Sequence, residues 1–180
     1  AGPKAPAGFS VARFAEGLDH PRWLYVLPNG DVLVSESASE PSPADVSNKG
    51  IKGWFQKHLM ASVGSAKPSP NKIFLLRDAD GDGAAESRVL FAQGLKQPFG
   101  MTLVGQTLYV ANSDGVVSFP YADGQTSETG TGQKVFDLPG GPINHHWTKN
   151  LVASPDKTKL YATVGSNSNV GENGLENETG

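Results

Sequence analysis

Short apolar stretches alternate with turn residues along most of the chain, and this pattern predicts many short β-strands. The clearest pair, residues 23–27 and 31–36, flanks Pro-Asn-Gly at 28–30, a strong signal for a tight hairpin. Residues 9–14 alternate apolar and polar side chains with the period of two of a half-buried strand. The same pattern predicts further strands at 72–77, 88–92, 100–104, 107–111, 116–120, 134–138, 151–153 and 159–164.

Residues 37–70 do not follow this pattern of short apolar stretches, because the segment is rich in Ser, Pro, Ala and Lys. Within it, residues 50–60 predict a short helix with Trp54, Phe55 and Leu59 on one side. We interpret the whole segment as an insertion into a β domain. A loop of this length in a compact domain is usually functional or mobile. The helix is therefore expected to cover either a sheet edge or a cleft.

An internal repeat organises the predicted strands. Gly-Leu-Asp-His-Pro at 17–21 recurs as Gly-Leu-Lys-Gln-Pro at 94–98, each time before an apolar strand, a tight turn and a second strand. Repeated four-stranded antiparallel units are typical of β-propeller blades, and propellers close with four to eight of them. The chain holds about two and a half such units. We therefore predict an all-β fold, a partial β-propeller, with residues 1–180 forming the N-terminal part of one domain.

Composition narrows the classes of partner. The net charge is −3 and the basic residues are scattered, which argues against nucleic acid or an anionic membrane surface and favours a small molecule. There are no cysteines, and no apolar run approaches the roughly 18 residues of a membrane helix. The opening AGPKAPAG has the small residues and prolines that can remain after removal of a signal peptide, so a periplasmic or secreted location is expected.

The most specific local motif is an acidic turn at residues 78–86, with the sequence DADGDGAAE. Carboxylates at its first, third and fifth positions, a glycine at the sixth and an acid at the ninth follow the order of oxygen ligands in Ca²⁺ loops. The acid falls at the ninth position instead of the twelfth and the flanks are strands, so the motif is not a complete EF-hand. We predict a structural Ca²⁺ site; the alternative is a solvated acidic hairpin. The predicted ligands are Asp78, Asp80, Asp82, the Ala84 carbonyl and Glu86.

Two adjacent histidines, His145 and His146, lie in the sequence INHHWTKNL just before the strand predicted at 151–153. Imidazole has the unperturbed pKa nearest neutrality, so a histidine at a strand end is well placed for proton transfer. The alternative is that both are ordinary loop histidines with surface hydrogen bonds.

These stretches together resemble the soluble quinoprotein sugar dehydrogenases, and most closely their L-sorbosone dehydrogenase branch. The resemblance covers nearly the whole chain and depends on LDHPRWLYVLPNGDVLVSES, on LLRDADGDGAAE followed by QPFGMTLVGQTLYVANSDGV, and on HHWTKNLVASPDKTKLYATVGSNSNVGENG. It implies a six-bladed propeller in which Ca²⁺ and basic residues hold pyrroloquinoline quinone (PQQ) at one end of the channel. It also implies a histidine that takes the substrate's hydroxyl proton while hydride passes to the quinone.

Carried over by position, the family's H-x-x-x-x-L pattern falls on residues 146–151 and makes His146 the general base. His145 replaces an acid that orients the base in the relatives, and Ser166 replaces an aspartate, so the orienting interaction and the substrate contacts are expected to differ. Gln97 lies near a glutamine that faces the cofactor in the family. The resemblance thus implies cofactor contacts at Gln97, His145, Ser166 and Asn167, and it makes the acidic turn a second metal site, separate from the catalytic Ca²⁺.

The resulting prediction is the N-terminal fragment of a PQQ-dependent aldose or sorbosone dehydrogenase, inactive when isolated. Its predicted partners are a sugar substrate and either the missing C-terminal half or a second copy, which would cover the open faces of the arc. Two alternatives stay open at this point: a Ca²⁺-dependent lactonase-like hydrolase and a non-catalytic propeller used for binding. Retention of PQQ by the full-length protein would distinguish the dehydrogenase hypothesis from both alternatives.

Overall fold

Within the part of the chain that the computed structural model describes, ten strands form three antiparallel sheets. The described residues are 2–40, 42, 44, 49–62, 68–128 and 130–178, with the helix side chains described at 50–55 and 58–59. Two sheets have four strands each and the third has two. The order of the strands within each sheet follows the chain, so each sheet is an antiparallel meander.

The bounds of the elements are close to those that the apolar pattern predicts. The first sheet holds β1 Pro21–Val26, β2 Val32–Glu36, β3 Lys72–Arg77 and β4 Ser87–Gln93. The second holds β5 Met101–Val104, β6 Thr107–Ala111, β7 Gly115–Pro120 and β8 Gln133–Asp137. The third holds β9 Leu151–Ala153 and β10 Leu160–Ala162. The helix α1 spans Gly50–Ser62 inside the insertion, and a 3-10 turn spans Leu175–Asn177.

The first strands of the three sheets lie next to one another, with β5 in contact with β1 on one side and β9 on the other. Four-stranded meanders placed side by side through their first strands are the blades of a β-propeller. The prediction of two complete blades and the first half of a third is confirmed.

The internal repeat has the same backbone conformation in both blades. His20 and Gln97, at matching positions, lie in the left-handed region with φ of 51° and 49°. In each blade the amide one residue earlier donates to a side chain at the end of the second strand. The two pairs are Asp19 N to Glu36 Oε1, at 2.8 Å, and Lys96 N to Asn112 Oδ1, at 3.3 Å. The repeat therefore encodes the turn by which each blade begins.

The main core lies between the two four-stranded sheets. It combines inward-facing side chains of both, and burial of this apolar surface is the main stabilising contribution to the arc. Its largest fully buried members are Phe91, Phe119, Leu27, Leu33, Ile73, Leu75, Met101 and Leu108. A smaller cluster of Ala111, Val116 and Leu151 joins the second blade to the third.

Apolar side chains are exposed on both outer faces of the arc. Leu24 and Val26 of β1 are exposed at one end, and Val152 and Tyr161 of the third sheet at the other. Whether further blades or a second copy cover these faces stays a prediction.

The prediction of a strand at residues 9–14 is wrong. This segment has no strand assignment, and Phe9 and Val11 are largely exposed. A strand needs a partner for its backbone groups. The backbone bonds found here are only Phe9 N to Pro6 O and Ala85 N to Phe14 O, so the described part of the chain places no sheet edge beside it. The alternating pattern was therefore insufficient without a pairing partner.

The helix α1 confirms the element predicted inside the insertion. Its Trp54, Phe55 and Leu59 side chains are mostly exposed, and Trp54 stacks on His58 with ring centroids 5.5 Å apart. Across the described residues, no helix has the length and apolar character needed to cross a membrane.

An ion pair with a buried carboxylate links the hairpin of the first blade to β3. Arg77 donates from Nε and Nη2 to the two carboxylate oxygens of Asp31, at 2.7 and 2.6 Å, and Asn29 donates to the same carboxylate. Asp31 is 3% exposed. Hydrogen bonding from Arg77 and Asn29, together with the Arg77 charge, holds the pKa of Asp31 below its ordinary value despite its burial.

Asp31→Asn should lower the free energy of unfolding by about 2 kcal/mol at pH 7, because charge-assisted hydrogen bonds contribute roughly 1.5–3 kcal/mol. Since the folded-state pKa of Asp31 is lowered, its contribution is complete above the ordinary carboxyl pKa and is lost as pH falls through the lower folded value. Urea unfolding of parent and variant at pH 7 and pH 3 would measure this. A difference in stability that does not shrink at the lower pH would contradict the assignment.

Candidate functional site

The loop before β9 and the segment after β10 meet at one end of the third sheet. The register Leu151 to Ala162 brings their ends together, and Thr163 N donates to Asn150 O at 3.0 Å. Beyond this, His145 N donates to Asn167 O at 2.8 Å. Four residues predicted from sequence, His145, His146, Ser166 and Asn167, therefore lie together in a group that we call the histidine cluster.

The hydrogen bonds of His146 determine which ring nitrogen carries the proton. Nδ1 lies 2.8 Å from the carbonyl oxygen of Ser166, which can only accept. It also lies 3.3 Å from Ser166 Oγ, whose own hydrogen is donated to Ser168 O. Both contacts require Nδ1 to be the donor, so in the neutral ring Nε2 carries the lone pair. The His146 side chain is exposed.

Gly165 packs against the Cβ side of His146. A Cβ added at Gly165 would lie 2.6 Å from the Cβ of His146, closer than real Cβ atoms approach. The absence of a side chain at this position lets the segment after β10 pack directly against the histidine. The imidazole is therefore positioned by Ser166 at the ring and by Gly165 at Cβ.

The residues behind His146 are buried. Trp147 is 7% exposed and packs edge-on against Phe99, with ring centroids 6.3 Å apart, while the Arg22 guanidinium lies 5.8 Å from the Trp147 ring. Lys149 is 1% exposed, and burial lowers the pKa of its amine. Sequence reasoning gave Lys149 no role, because a lysine in a polar loop carries no signal that its amine is enclosed.

A carboxylate that sequence reasoning missed lies beside His145. Glu172 Oε2 is 3.8 Å from His145 Nδ1, and the other oxygen of Glu172 is 4.0 Å from Lys52 Nζ on α1. Ser42 Oγ also donates to Pro142 O, in the loop that leads to the histidines. The insertion therefore contacts Pro142 and Glu172, which flank the histidine cluster along the chain. Whether it acts as a lid over a cleft stays a prediction.

Gln97 lies at the junction of the two blades. Gln97 is 7% exposed. Its side-chain amide donates to Ala38 O at 2.9 Å, and its backbone amide donates to Asn71 Oδ1 at 2.8 Å. These contacts are with residues that flank β2 and β3, not with the histidine cluster. The cofactor role that the resemblance implies for Gln97 stays a prediction.

The carboxylates of the acidic turn converge. One oxygen from each of Asp78, Asp80, Asp82 and Glu86 lies within 4.8 Å of the others. Ligands 2.3–2.6 Å from one ion are at most about 5 Å apart, so this spacing fits a single Ca²⁺. The turn is shaped by two glycines with positive φ, Gly81 at 77° and Gly83 at 90°, whose amides donate to the Asp78 carboxylate. The cluster could therefore hold a metal ion.

Comparisons with known proteins bear on the fold. No protein-family model matches the chain, and no curated protein matches it significantly. Among solved structures, the chain is similar to a Trichoderma reesei carbohydrate-active enzyme of family AA12, with a TM-score of 0.64 and 16% sequence identity. The match covers 92% of this chain and 35% of that structure, so the chain spans about a third of its length. At this identity the likeness shows that the two share a fold over the matched region.

Proposed function

We propose that this chain is part of a quinoprotein oxidoreductase that oxidises an aldose or a sorbosone-like sugar, with PQQ as hydride acceptor and His146 as general base. The observation that carries the proposal is the orientation of His146, an exposed side chain whose Nδ1–H is bound to the Ser166 carbonyl, which leaves Nε2 as the acceptor. The fold shared with a carbohydrate-active enzyme supports it, as does the motif resemblance to the L-sorbosone dehydrogenase branch.

The donor chemistry of the histidine cluster fits part of a PQQ site. Imidazole and hydroxyl groups are hydrogen-bond partners for quinone and carboxylate oxygens, and Ser166 brings its hydroxyl to 3.3 Å from the His146 ring. The His145 amide is bound to the backbone carbonyl of Asn167, whose buried side-chain amide donates to Asn177 O. His145 and Ser166 would hold a polar edge of the cofactor. When bound, PQQ supplies a quinone that accepts hydride.

The chain's own contribution is proton removal. His146 Nε2 takes the hydroxyl proton of the substrate carbinol, which makes departure of hydride from the same carbon easier. As the ring becomes positively charged, the bond from Nδ1–H to the Ser166 carbonyl strengthens, because its donor is now charged. Gly165 and Ser166 keep the ring in one orientation, so the base does not have to be ordered in each cycle.

The test is reconstitution of the protein that contains this chain with PQQ and Ca²⁺. We expect absorbance titration to show saturable PQQ binding and L-sorbosone or an aldose to reduce an artificial electron acceptor only in the presence of PQQ. Hydrolysis of a lactone in the absence of PQQ would support the hydrolase alternative. Failure to bind PQQ would overturn the proposal.

We further propose that the acidic turn binds Ca²⁺ and that the ion stabilises the fold. An ion that binds only the folded state stabilises by about 2.7 kcal/mol at one hundred times its dissociation constant. The melting temperature should therefore rise with added Ca²⁺ in the parent protein but not in the Asp80→Ala variant. The exposed Asp123, outside the cluster, provides the control, since Asp123→Ala should respond like the parent. A parent melting temperature that is independent of Ca²⁺ would exclude the site.

A further inference from the structure

Lys149 is a buried cationic side chain directly behind the proposed base. Its Nζ donates to the backbone carbonyl of His146 at 3.3 Å and to Asn144 Oδ1 at 3.4 Å. The side chain is almost completely enclosed, at 1% exposed. The amine is therefore held inside the loop that carries both histidines.

Burying an amine in this way is costly unless the group is paired. Among the described residues, the ion pairs found do not include Lys149, and its amine contacts only neutral oxygens. Desolvation accordingly lowers the pKa of its amine. An apolar side chain of similar length would fill the same space without this cost. Stability therefore does not explain why a lysine lies here.

The contacts of Lys149 suggest what it does instead. His146 is positioned at its ring by Ser166 and at Cβ by Gly165, and Lys149 adds the only contact described here to its carbonyl oxygen. The backbone of Lys149 is itself fixed to the second blade, since Gly100 N donates to its carbonyl at 3.0 Å. Lys149 thus links the backbone of the histidine to Gly100, the residue just before the first strand of the neighbouring blade.

We propose that Lys149 is a positioning residue that fixes the backbone of His146 through its Nζ, so that the bond from Nδ1 to Ser166 is kept and Nε2 stays directed to the substrate. This inference rests on the proposed function for its kinetic consequence. Its structural consequence, a single imidazole tautomer at His146, does not depend on the reaction.

The test compares Lys149→Met, which keeps the length of the side chain but removes the amine, with Lys159→Met, an exposed lysine in the turn between β9 and β10. In the reconstituted protein we expect Lys149→Met to lower kcat about tenfold to a hundredfold with little change in KM, since small misplacements of a catalytic group can cost on the order of a hundredfold. Lys159→Met should behave like the parent. Asn144→Ala removes the other acceptor of Nζ and should give a smaller loss of kcat. This variant takes the place of Lys149→Met in the test if Lys149→Met does not fold.

Imidazole ¹⁵N NMR provides a readout without turnover, with the His146 signals assigned by their loss in His146→Ala. The parent should show the Nδ1–H tautomer at His146, and Lys149→Met should show a mixture. Failure of the parent to oxidise sugars would overturn the proposed function and leave this NMR comparison to decide the role of Lys149. An unchanged tautomer and unchanged kcat in a folded Lys149→Met, or in Asn144→Ala, would overturn the positioning role.

Discussion

Replacing His146 by alanine should lower the turnover number for sugar oxidation by about a hundred- to ten-thousand-fold, the usual cost of losing a positioned general base. Binding of PQQ and the melting temperature should change little, because the side chain is exposed and the core lies elsewhere. Steady-state kinetics of the protein reconstituted with PQQ and Ca²⁺ would measure the loss. PQQ titration would show that the cofactor is retained.

His145→Ala is the matched control, because it removes the adjacent imidazole and its contact with Glu172 but leaves the bond between His146 and Ser166 in place. We expect a smaller loss of turnover. If His145→Ala abolishes turnover and His146→Ala retains it, the general base is His145. If neither substitution matters, these are surface histidines of a loop and the proposed mechanism is wrong.

The second large effect is expected at Gly100, where the second and third blades are in close contact. A Cβ added to Gly100 would lie 2.6 Å from both Asn150 Cα and Leu151 N, which are backbone atoms that cannot rotate away. Gly100→Ala would therefore push β9 away from β5. Overpacking of this kind costs about 1–3 kcal/mol, which corresponds to roughly 2–4 °C in melting temperature per kcal/mol for a chain of this size.

The same displacement should lower turnover, because Gly100 N donates to the carbonyl of Lys149 in the loop that carries His146. Gly141→Ala is the control. It lies in the same loop region, has no positive φ, and a Cβ there would meet nothing within 4 Å. Thermal melting and kinetics of both variants would test the prediction. A Gly100→Ala protein as stable and active as the parent would show that the third blade is not fixed by this contact.

The sequence alone predicted much of the fold because the signals involved are local. The bounds of β3, β6 and β9 agree with the apolar pattern, and the tight turn before β2 is made by Gly30 at φ 91°. The repeat at 17–21 and 94–98 has one backbone conformation because the matching residues make matching turns. The acidic carboxylates converge for the same reason, since they alternate within a single turn.

The candidate site was predicted in part. His145 and His146 could be predicted as site residues because the chemistry of imidazole follows from the residue type. The motif resemblance assigned residues 166 and 167 to the same site. The contact of Glu172 with His145 was not predicted, because a glutamate in a polar tail carries no local sign of its neighbour. Gln97 was predicted to face a cofactor. Its side-chain amide donates to Ala38 O, and this direction depends on how the two blades pack.

The sequence by itself therefore determined the elements of this protein, namely the strands, their turns, the blade repeat, and the residue types available for proton transfer and metal binding. Each depends on neighbours within a few positions along the chain. Only the tertiary structure decided that residues 9–14 form no strand, that Lys149 is enclosed beneath His146, and which nitrogen of His146 accepts a proton. Pairing, burial and hydrogen-bond direction are set by groups far apart in sequence, and these become neighbours only when the blades pack together.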